Sequence, residues 1–365
     1  MRILLVIDTL GSGGAQRLLA NLANGLSDTY NTTILVYNSS GESFHVFNSK
    51  VKIIEIKKSP GKGIKIDILF KIWREMRKRD IIISYMPSSN IYCILSRLFF
   101  NLNKKLICNE VSINNALESK LKRIITNIAY IFASYIVCNT YKQKIYLQKY
   151  LFLKNKVITI LNGCDDIPFK QRFKIKPNER KYIIIGRVAF PKNGLRLLNA
   201  LKLFHDKHRF LPKIEWAGRI DNSRYENNKI YREMLIFLKE NPSINDNFKF
   251  VGEIKNIINF YNRADGLISG SIYEGLPYVI CEAMFNGCPI LASDIADNAR
   301  ILGKHEEKGI LCDPLSIKSI FEGLEKLVFL PEKKIKKMTF NARKFAENNL
   351  TNRKMIDQYK NLILL

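Results

Sequence analysis

The chain has 365 residues, a formal net charge of +26 and a hydrophobic fraction of 47%. That length suits two hydrophobic cores better than one, and that apolar content excludes a disordered chain. The charge favours an anionic partner, such as a phosphorylated ligand, an acidic lipid headgroup or a nucleic acid, without choosing among them.

Three local features bear on compartment and chemistry. The first residues, MRILLVIDTL, have a short apolar run that ends at an acidic residue, which is not typical of a signal peptide. The longest uncharged apolar stretch, 124–141, contains Thr126, Asn127 and Ser134, so we interpret it as a buried helix followed by a strand. The seven scattered cysteines form no C-x-x-C pair, which disfavours a disulfide framework and a zinc site.

Short β-branched runs alternate with amphipathic stretches through the first half of the chain. Strand–helix alternation is typical of a parallel sheet covered on both faces. The predicted strands cover 2–7, 31–37, 51–56, 80–85, 105–109, 135–139 and 157–161.

A glycine loop, GSGGAQR, follows the first predicted strand. Gly11, Gly13 and Gly14 precede an amphipathic helix, and such a loop offers backbone N–H groups and a helix N-terminus to an anion. The spacing is not the dinucleotide fingerprint, because the third glycine is missing at its required offset. A tight strand-to-helix turn explains the same pattern equally well.

The strand–helix pattern restarts after a polar, basic segment with two prolines. The predicted domains are 1–165 and 181–345, joined by a linker at 166–180, with a C-terminal helix at 346–365 for which the first domain is one candidate packing surface. We therefore predict an α/β fold of two doubly wound Rossmann-like domains facing a central cleft. The strands predicted in the second domain cover 181–187, 211–219, 248–253, 265–270, 289–294 and 309–313.

A basic pair follows the first strand of the second domain. In GRVAFPKNG, Arg187 comes directly after the strand and Lys192 follows five residues later. A guanidinium and an ammonium at a strand end can neutralise a diphosphate, and they accelerate its departure if the charge develops in the transition state. A solvated basic loop is the alternative in a chain so rich in lysine.

Two carboxylates flank a predicted helix start in SIYEGLPYVICEAMFNGCPI. Pro277 suits the first helical turn, where the N–H groups of residues 275–278 offer the positive end of the helix dipole. Glu274 lies just before this helix and can reach a polar ligand held there. Glu282 lies about one and a half turns in, and its two oxygens could accept hydrogen bonds from vicinal hydroxyls. One capping and one surface carboxylate is the alternative.

These motifs resemble the retaining nucleotide-sugar glycosyltransferases of the group 1 (family 4) type, which have the GT-B fold. The resemblance runs along nearly the whole chain, through GSGGAQR, NGCD, GRVAFPKNG, FVGE, GILCDP and, most specifically, YNRADGLISGSIYEGLPYVICEAMFNGCPILASD. It implies that domain 1–165 is the acceptor side and that domain 181–345 binds the nucleotide-sugar.

The same resemblance implies roles for single residues. Glu274 would contact the donor sugar, Glu282 the ribose hydroxyls, and Arg187 with Lys192 the diphosphate. Glycines of the first domain would allow close approach to the donor, and the loop at Gly252 would cradle the base. The expected donor-binding residues are Gly13, Gly14, Arg187, Lys192, Gly252, Glu274, Gly275, Leu276, Pro277, Tyr278 and Glu282, and the expected catalytic residues are Glu274, Arg187 and Lys192.

The sequence departs from the family pattern at two places. Arg300 stands where many members have a glutamate, and the only histidine of the first domain, His45, is far upstream of the place where many members have one. Asn109 or Glu110 is the candidate for that acceptor-side position. Both departures concern the acceptor more than the donor.

Three helical segments of the first domain mix apolar side chains with Lys and Arg: 68–80, 94–106 and 117–132. That mixture suits a helix lying on an anionic bilayer, although core-packing helices with solvated faces fit equally well. We therefore expect a peripheral enzyme on the cytoplasmic face of the inner membrane. Its acceptor would be a saccharide or a polyprenyl-diphosphate-linked saccharide.

The predicted activity is that of a retaining hexosyltransferase that uses a nucleotide-sugar, with UDP-sugar favoured, in capsule, O-antigen or lipopolysaccharide biosynthesis. No cofactor or metal is expected, since basic side chains and helix amides would do the work of a cation. One alternative is a basic nucleic-acid-binding protein, but no recognisable nucleic-acid module is present, so no nucleic-acid partner is predicted. A nucleotide-sugar epimerase is the other, and four histidines supply its acid–base chemistry poorly.

Overall fold

The computed structural model describes residues 1–11, 13–38, 45–56, 64–110, 120–172, 176–220, 225–304 and 306–365. It divides into two compact units, Met1–Gly163 together with Leu350–Leu365, and Cys164–Asn349. Among the described residues, none of the helices is both long enough and apolar enough to cross a bilayer.

The first unit is built on a seven-stranded parallel sheet, in the order β3-β2-β1-β4-β5-β6-β7. Its strands and helices are β1 (Arg2–Ile7), α1 (Gly14–Ser27), β2 (Asn31–Val36), β3 (Lys52–Glu55), α2 (Ile66–Arg77), β4 (Ile81–Tyr85), α3 (Pro87–Phe99), β5 (Lys105–Glu110), α4 (Lys120–Ala129), β6 (Tyr135–Cys138), α5 (Tyr141–Gln148) and β7 (Val157–Thr159). The predicted helix and strand within 124–141 are confirmed as the end of α4 and β6.

The second unit is built on a six-stranded parallel sheet, in the order β10-β9-β8-β11-β12-β13. Its elements are β8 (Lys181–Ile185), α6 (Gly194–His208), β9 (Lys213–Ala217), α7 (Tyr225–Glu240), α8 (Pro242–Asn245), β10 (Phe248–Gly252), α9 (Ile257–Asn262), β11 (Gly266–Ser269), α10 (Tyr278–Asn286), β12 (Ile290–Ser293), α11 (Asn298–Leu302), β13 (Ile310–Cys312), α12 (Ile317–Val328) and α13 (Glu332–Asn349). A last helix, α14 (Asn352–Leu364), ends the chain.

Burial on both faces explains the strand sequences. In β1, Leu4 and Val6 pack into a core shared with α2 and α3, while Ile3, Leu5 and Ile7 are equally buried and point to the opposite face. Strands covered on both faces read as continuous apolar runs. The predicted α/β architecture of two doubly wound parallel sheets is confirmed.

The segment predicted as a linker is part of the second unit where it is described. Arg172 is only 7% exposed, and its guanidinium donates to the carbonyl oxygens of Tyr261, Ala264 and Gly287 at 3.0, 2.8 and 2.6 Å. It also donates to the side-chain oxygen of Asn286 at 2.7 Å. We call residues 166–172 the strap, because these bonds hold them on the C-terminal ends of α9 and α10.

The end of the chain is divided differently from the predicted helix at 346–365. Thr351 interrupts it: its side chain accepts from the Lys354 N–H at 3.2 Å and starts α14 as a new helix. Residues 346–349 therefore complete α13, whereas α14 lies in the first unit, where Asn352 accepts from Asn21 of α1 at 3.0 Å.

Candidate active site

Each sheet reverses its strand order at one point, between β1 and β4 in the first unit and between β8 and β11 in the second. In open α/β sheets, ligands bind outside the carboxyl ends of the strands at such a switch point. The predicted basic pair follows β8, and the predicted carboxylates follow β11. Strand order alone therefore brings the two motifs to the same place in the second unit.

Three neighbouring strands of the second sheet end at glycines with positive φ. These are Gly186 (φ +143°), Gly218 (φ +147°) and Gly252 (φ +73°). The Gly186 N–H donates to Ala217 O and the Gly218 N–H to Gly252 O, both at 2.8 Å. A Cβ on Gly218 would lie 2.1 Å from the Gly186 carbonyl oxygen. At position 218, only glycine allows the ends of β8 and β9 to lie so close together.

Replacing Gly218 by alanine is therefore expected to lower the free energy of unfolding of the second unit by about 2–4 kcal/mol, since it adds a backbone clash to a strained φ. Thermal denaturation measures the loss. Gly270→Ala is the matched control, because a Cβ there meets nothing within 4 Å. Equal melting temperatures for the two variants would contradict the close approach.

Lys192 and Glu274 form an ion pair at the switch point of the second unit. Lys192 ends a 3-10 turn, Phe190–Lys192, that follows β8. Glu274 also accepts from the Ser271 hydroxyl at 2.9 Å, and the Ile272 N–H donates to the Pro191 carbonyl oxygen at 2.8 Å. The two loops are thus joined through backbone and side chains, and a cation and an anion that the sequence placed 82 positions apart are in direct contact.

Arg187 and Arg219 stand side by side at the same edge. Arg187 follows Gly186 and is exposed, and Arg219 follows Gly218 and is also exposed. The pairing of Ile185 with Ala217 and the bond from the Val188 N–H to the Arg219 carbonyl at 2.9 Å align the two segments. Sequence reasoning missed Arg219. The Gly-Arg pair that ends both IIIGR and WAGR is a signal that could have identified it.

The helix that carries the second carboxylate begins one residue later than predicted. Pro277 is the N-cap of α10 rather than its first helical residue, and Leu276, Pro277 and Tyr278 are buried around that start, with Gly275 half-buried in the loop before it. The nine residues of α10 are almost all buried, so its N–H groups begin inside the unit and not on a loose surface turn.

Glu282 is 1% exposed, which differs from the surface position considered from the sequence. The Tyr261 hydroxyl lies 2.9 Å from the Glu282 Oε2 atom and the same distance from the Val279 carbonyl oxygen. Burial, with the Glu282 carboxylate second, holds the pKa of Tyr261 well above its usual range. Tyr261 therefore keeps its proton as a hydrogen-bond donor to α10.

The predicted base-binding loop and the glycine loop differ in their surroundings. Gly252 is exposed, and a Cβ there would meet nothing within 4 Å. Gly13 is the N-cap of α1 with an ordinary extended backbone, and Gly14 is the first helical residue. A Cβ on Gly13 would meet only the flexible end of the Gln16 side chain, so neither backbone packing nor φ requires a glycine there.

His45 lies against the glycine loop of the first unit, despite its distance along the chain. Burial and then the Arg17 charge lower its pKa, while hydrogen bonds to the backbone of Gly13 and Gly11 oppose that shift. No local sequence pattern predicts this contact, since it depends on the β2–β3 connection, of which residues 39–44 lie outside the described ranges.

The two acceptor-side candidates are buried in a polar network at the end of β5. Glu110 accepts from the Tyr130 hydroxyl, and Asn109 accepts from the Tyr359 hydroxyl of α14. Asn90 of α3 donates to the Asn109 carbonyl and to the Tyr130 hydroxyl oxygen, both at 3.1 Å. These contacts give both residues a structural role within the first unit. Arg300, on α11, is exposed.

Within the described ranges, no group of three or more His, Cys, Asp or Glu side chains could hold a metal ion. The seven cysteines are all buried free thiols. At the switch point of the second unit, the structure combines the Lys192–Glu274 ion pair with the exposed Arg187 and Arg219 and the start of α10.

Comparison with known protein families gives one match to the second unit. The model for glycosyl transferases group 1 matches residues 165–345. That range contains the Lys192–Glu274 ion pair and Glu282, together with the three glycines that follow or end neighbouring strands: Gly186, Gly218 and Gly252.

Several curated relatives match most of the chain, among them two glycosyltransferases of bacterial saccharide synthesis. One is the alpha-1,4-N-acetyl-D-galactosaminyltransferase of Campylobacter jejuni that acts on GalNAc-alpha-(1->4)-GalNAc-alpha-(1->3)-diNAcBac-PP-undecaprenol; it is 28% identical over 86% of this chain and 85% of its own length. The other is the amylovoran biosynthesis glycosyltransferase AmsD of Erwinia amylovora, 29% identical over 80% of this chain and 81% of its own.

Solved structures match the whole chain in fold. Sucrose-phosphate synthase from Thermosynechococcus elongatus has a TM-score of 0.81 at 16% identity, covering 99% of this chain and 98% of that one. Anabaena HepE in complex with UDP-glucose has a TM-score of 0.80 at 16% identity, covering both chains completely.

Proposed function

From the premise that this chain is a group 1 glycosyltransferase with the GT-B fold, we propose that it transfers a sugar from a nucleotide-sugar, favouring a UDP-sugar, to a lipid-linked saccharide. The product belongs to a cell-surface polysaccharide. Relatives named for capsular polysaccharide and amylovoran biosynthesis support this assignment.

The observation that carries the proposal is the Lys192–Glu274 pair at the switch point of the second unit. An ammonium has three donor hydrogens, so Lys192 can keep its bond to Glu274 while it contacts a phosphate oxygen. Arg187 and Arg219 add positive charge along the same edge. A carboxylate held beside these cations is placed to accept from a sugar hydroxyl while the cations hold the diphosphate.

Charge stabilisation then drives the transfer. The bond between the anomeric carbon and the diphosphate oxygen breaks, negative charge develops on the leaving group, and Lys192 with Arg187 and the α10 amides stabilises it. The new bond forms from the acceptor oxygen to the anomeric carbon, and the acceptor proton passes to the leaving phosphate. Transfer on one face in this way retains the anomeric configuration. These groups carry enough positive charge that no metal ion is required.

The proposed acceptor is a polyprenyl-diphosphate-linked saccharide. Two Campylobacter relatives are named for saccharides linked to undecaprenol through a diphosphate. Their alignments cover 86% and 93% of this chain. Such an acceptor is anchored in a membrane, which supports our proposal that the enzyme is a peripheral protein at the cytoplasmic face of the inner membrane.

The experiment that tests the donor assignment is thermal denaturation of the protein with a panel of UDP-, GDP- and ADP-sugars, with and without EDTA. A donor at 100 times its Kd stabilises the folded state by about 2.7 kcal/mol, so the melting temperature rises for the true donor. Product NMR then reads the anomeric configuration. Loss of donor binding in EDTA would overturn metal independence, an inverted product would overturn retention, and no stabilisation by any donor would overturn the donor class.

Arg187→Ala is expected to weaken nucleoside diphosphate binding by about 1.5–3 kcal/mol, since it removes one charge-assisted hydrogen bond. Isothermal titration calorimetry measures the change. Arg232→Ala, an exposed arginine on α7 of the same unit, is the control and should leave the affinity unchanged. Equal affinities for both variants would remove Arg187 from the donor site.

A further inference from the structure

Apolar side chains of α2 and of the end of α3 form a surface cluster on the first unit, in which the exposed Phe70 and Phe100 rings pack on the half-buried Trp73. We call this set the aromatic patch: Phe70 and Trp73 of α2, and Leu98, Phe99 and Phe100 at the end of α3. The Trp73 and Phe100 rings stack with centroids 4.4 Å apart, and Phe70 lies 4.9 Å from Trp73. Phe99 is 72% exposed.

The core does not require these side chains. Helix α2 buries Ile68, Leu69, Ile72 and Met76, which form one face at helical spacing and already hold it on the sheet. Phe70 points away from that face. Ile66, at the start of the same helix, is 85% exposed. A contiguous exposed apolar surface of this kind marks an interaction site.

Basic side chains surround the patch. Between Ile64 and Arg79 the chain has six Lys or Arg and two Asp or Glu, a net charge of +4. Each acid is already paired, Asp67 with Lys71 at 3.7 Å and Glu75 with Lys78 at 2.6 Å. The Arg77 guanidinium lies 4.9 Å from the Trp73 ring centroid. The surface is therefore aromatic at its centre and positive at its border.

We propose that the aromatic patch docks this protein on an anionic bilayer surface. Phe and Trp side chains insert at the headgroup level, while Arg74, Arg77 and Lys78 face the anionic headgroups. A second copy of this chain would bring another positive border against the first, so charge disfavours self-association through this patch. The inference rests on the proposed function only in that a lipid-linked acceptor places the enzyme at a membrane.

Vesicle flotation of the full chain tests this surface. We expect the protein to float with vesicles containing phosphatidylglycerol and not with pure phosphatidylcholine, and binding should fall as salt rises. The double variant Phe70→Ser, Phe99→Ser should bind at least tenfold more weakly. Arg74→Ala should lose about fivefold, as expected for one basic residue near the surface. Phe340→Ser is the matched control, because Phe340 is 64% exposed on α13 of the other unit.

Tryptophan fluorescence tests whether Trp73 of the aromatic patch contacts the lipid. The chain has two tryptophans, and Trp216 is buried in the second unit, so quenching by brominated lipid should report Trp73 and should be lost in Trp73→Phe. Equal flotation of the double variant and the wild type would overturn the proposal. An absence of quenching would also overturn it, as would a wild-type dimer that the double variant no longer forms. The proposal would be overturned as well if the wild type did not float but bound single-stranded RNA, and the double variant lost that binding.

Donor binding separates the two proposals. The double variant should show the same stabilisation by the nucleotide-sugar as the wild type, since the patch lies in the unit that does not contain the Lys192–Glu274 pair. Flotation without donor stabilisation would support the docking surface and contradict the proposed function. Donor stabilisation without flotation would do the reverse.

Discussion

Replacing Lys192 by methionine is expected to lower kcat for sugar transfer by about 10²- to 10³-fold. That is the usual cost of removing one fixed donor from a group that stabilises developing charge. Methionine keeps most of the length of the side chain but removes the ammonium that neutralises Glu274 and faces the departing phosphate. Because the missing interaction strengthens in the transition state, kcat should fall more than KM rises. Steady-state assays with the identified donor measure both constants.

Lys181→Met is the matched control for this variant. Lys181 also pairs with a carboxylate, Glu215, at 3.0 Å, but at the amino end of the same strand, β8. It should change kcat by less than twofold. If both lysine variants lose activity equally, the position of Lys192 at the carboxyl end has no special role and the proposed charge stabilisation is wrong.

Replacing Arg172 by methionine is expected to destabilise the second unit by about 3–5 kcal/mol. The variant leaves carbonyl groups at the ends of α9 and α10 buried without their donor, and each such group costs about 1–3 kcal/mol. It also removes a cation from two helix C-termini, where positive charge is favourable. Urea unfolding in a Trp73→Phe background, followed by the fluorescence of the buried Trp216, then reports the second unit alone.

Arg232→Met provides the comparison, since that arginine is exposed on α7 of the same unit. It should shift the free energy of unfolding by no more than about 0.5 kcal/mol. An unchanged urea midpoint for Arg172→Met would show that water replaces the guanidinium at these carbonyls, and the strap would then have no stabilising role.

The sequence predicted the two parallel sheets well because local signals encode them. Continuous apolar runs mark strands buried on both faces. Because β8 and β11 are neighbours in the second sheet, the segments that follow them lie at the same place. The roles assigned to the individual site residues stay predictions until the variants are measured.

Long-range contacts are what the sequence could not predict. Arg172 reads as a linker residue because its partners, such as Tyr261 and Gly287, are 89 and 115 positions away. A solvated linker and a segment whose arginine caps two helices have the same polar, basic composition, so composition does not distinguish them. The surroundings of His45 and Glu282 were not predictable for a related reason: tertiary packing brings His45 to the glycine loop, and a tyrosine from α9 contacts Glu282.

Because α14 lies in the first unit, residues 164–349 are in effect an insertion within it. During synthesis, the Asn109 amide therefore lacks its Tyr359 partner until the ribosome has added a further 250 residues. The second unit can finish folding while the first is still incomplete, which reverses the usual order in which an N-terminal region folds first. Loss of residues 350–365 through a premature stop codon would leave the apolar surface of α1 uncovered and the nascent protein prone to aggregation and proteolysis.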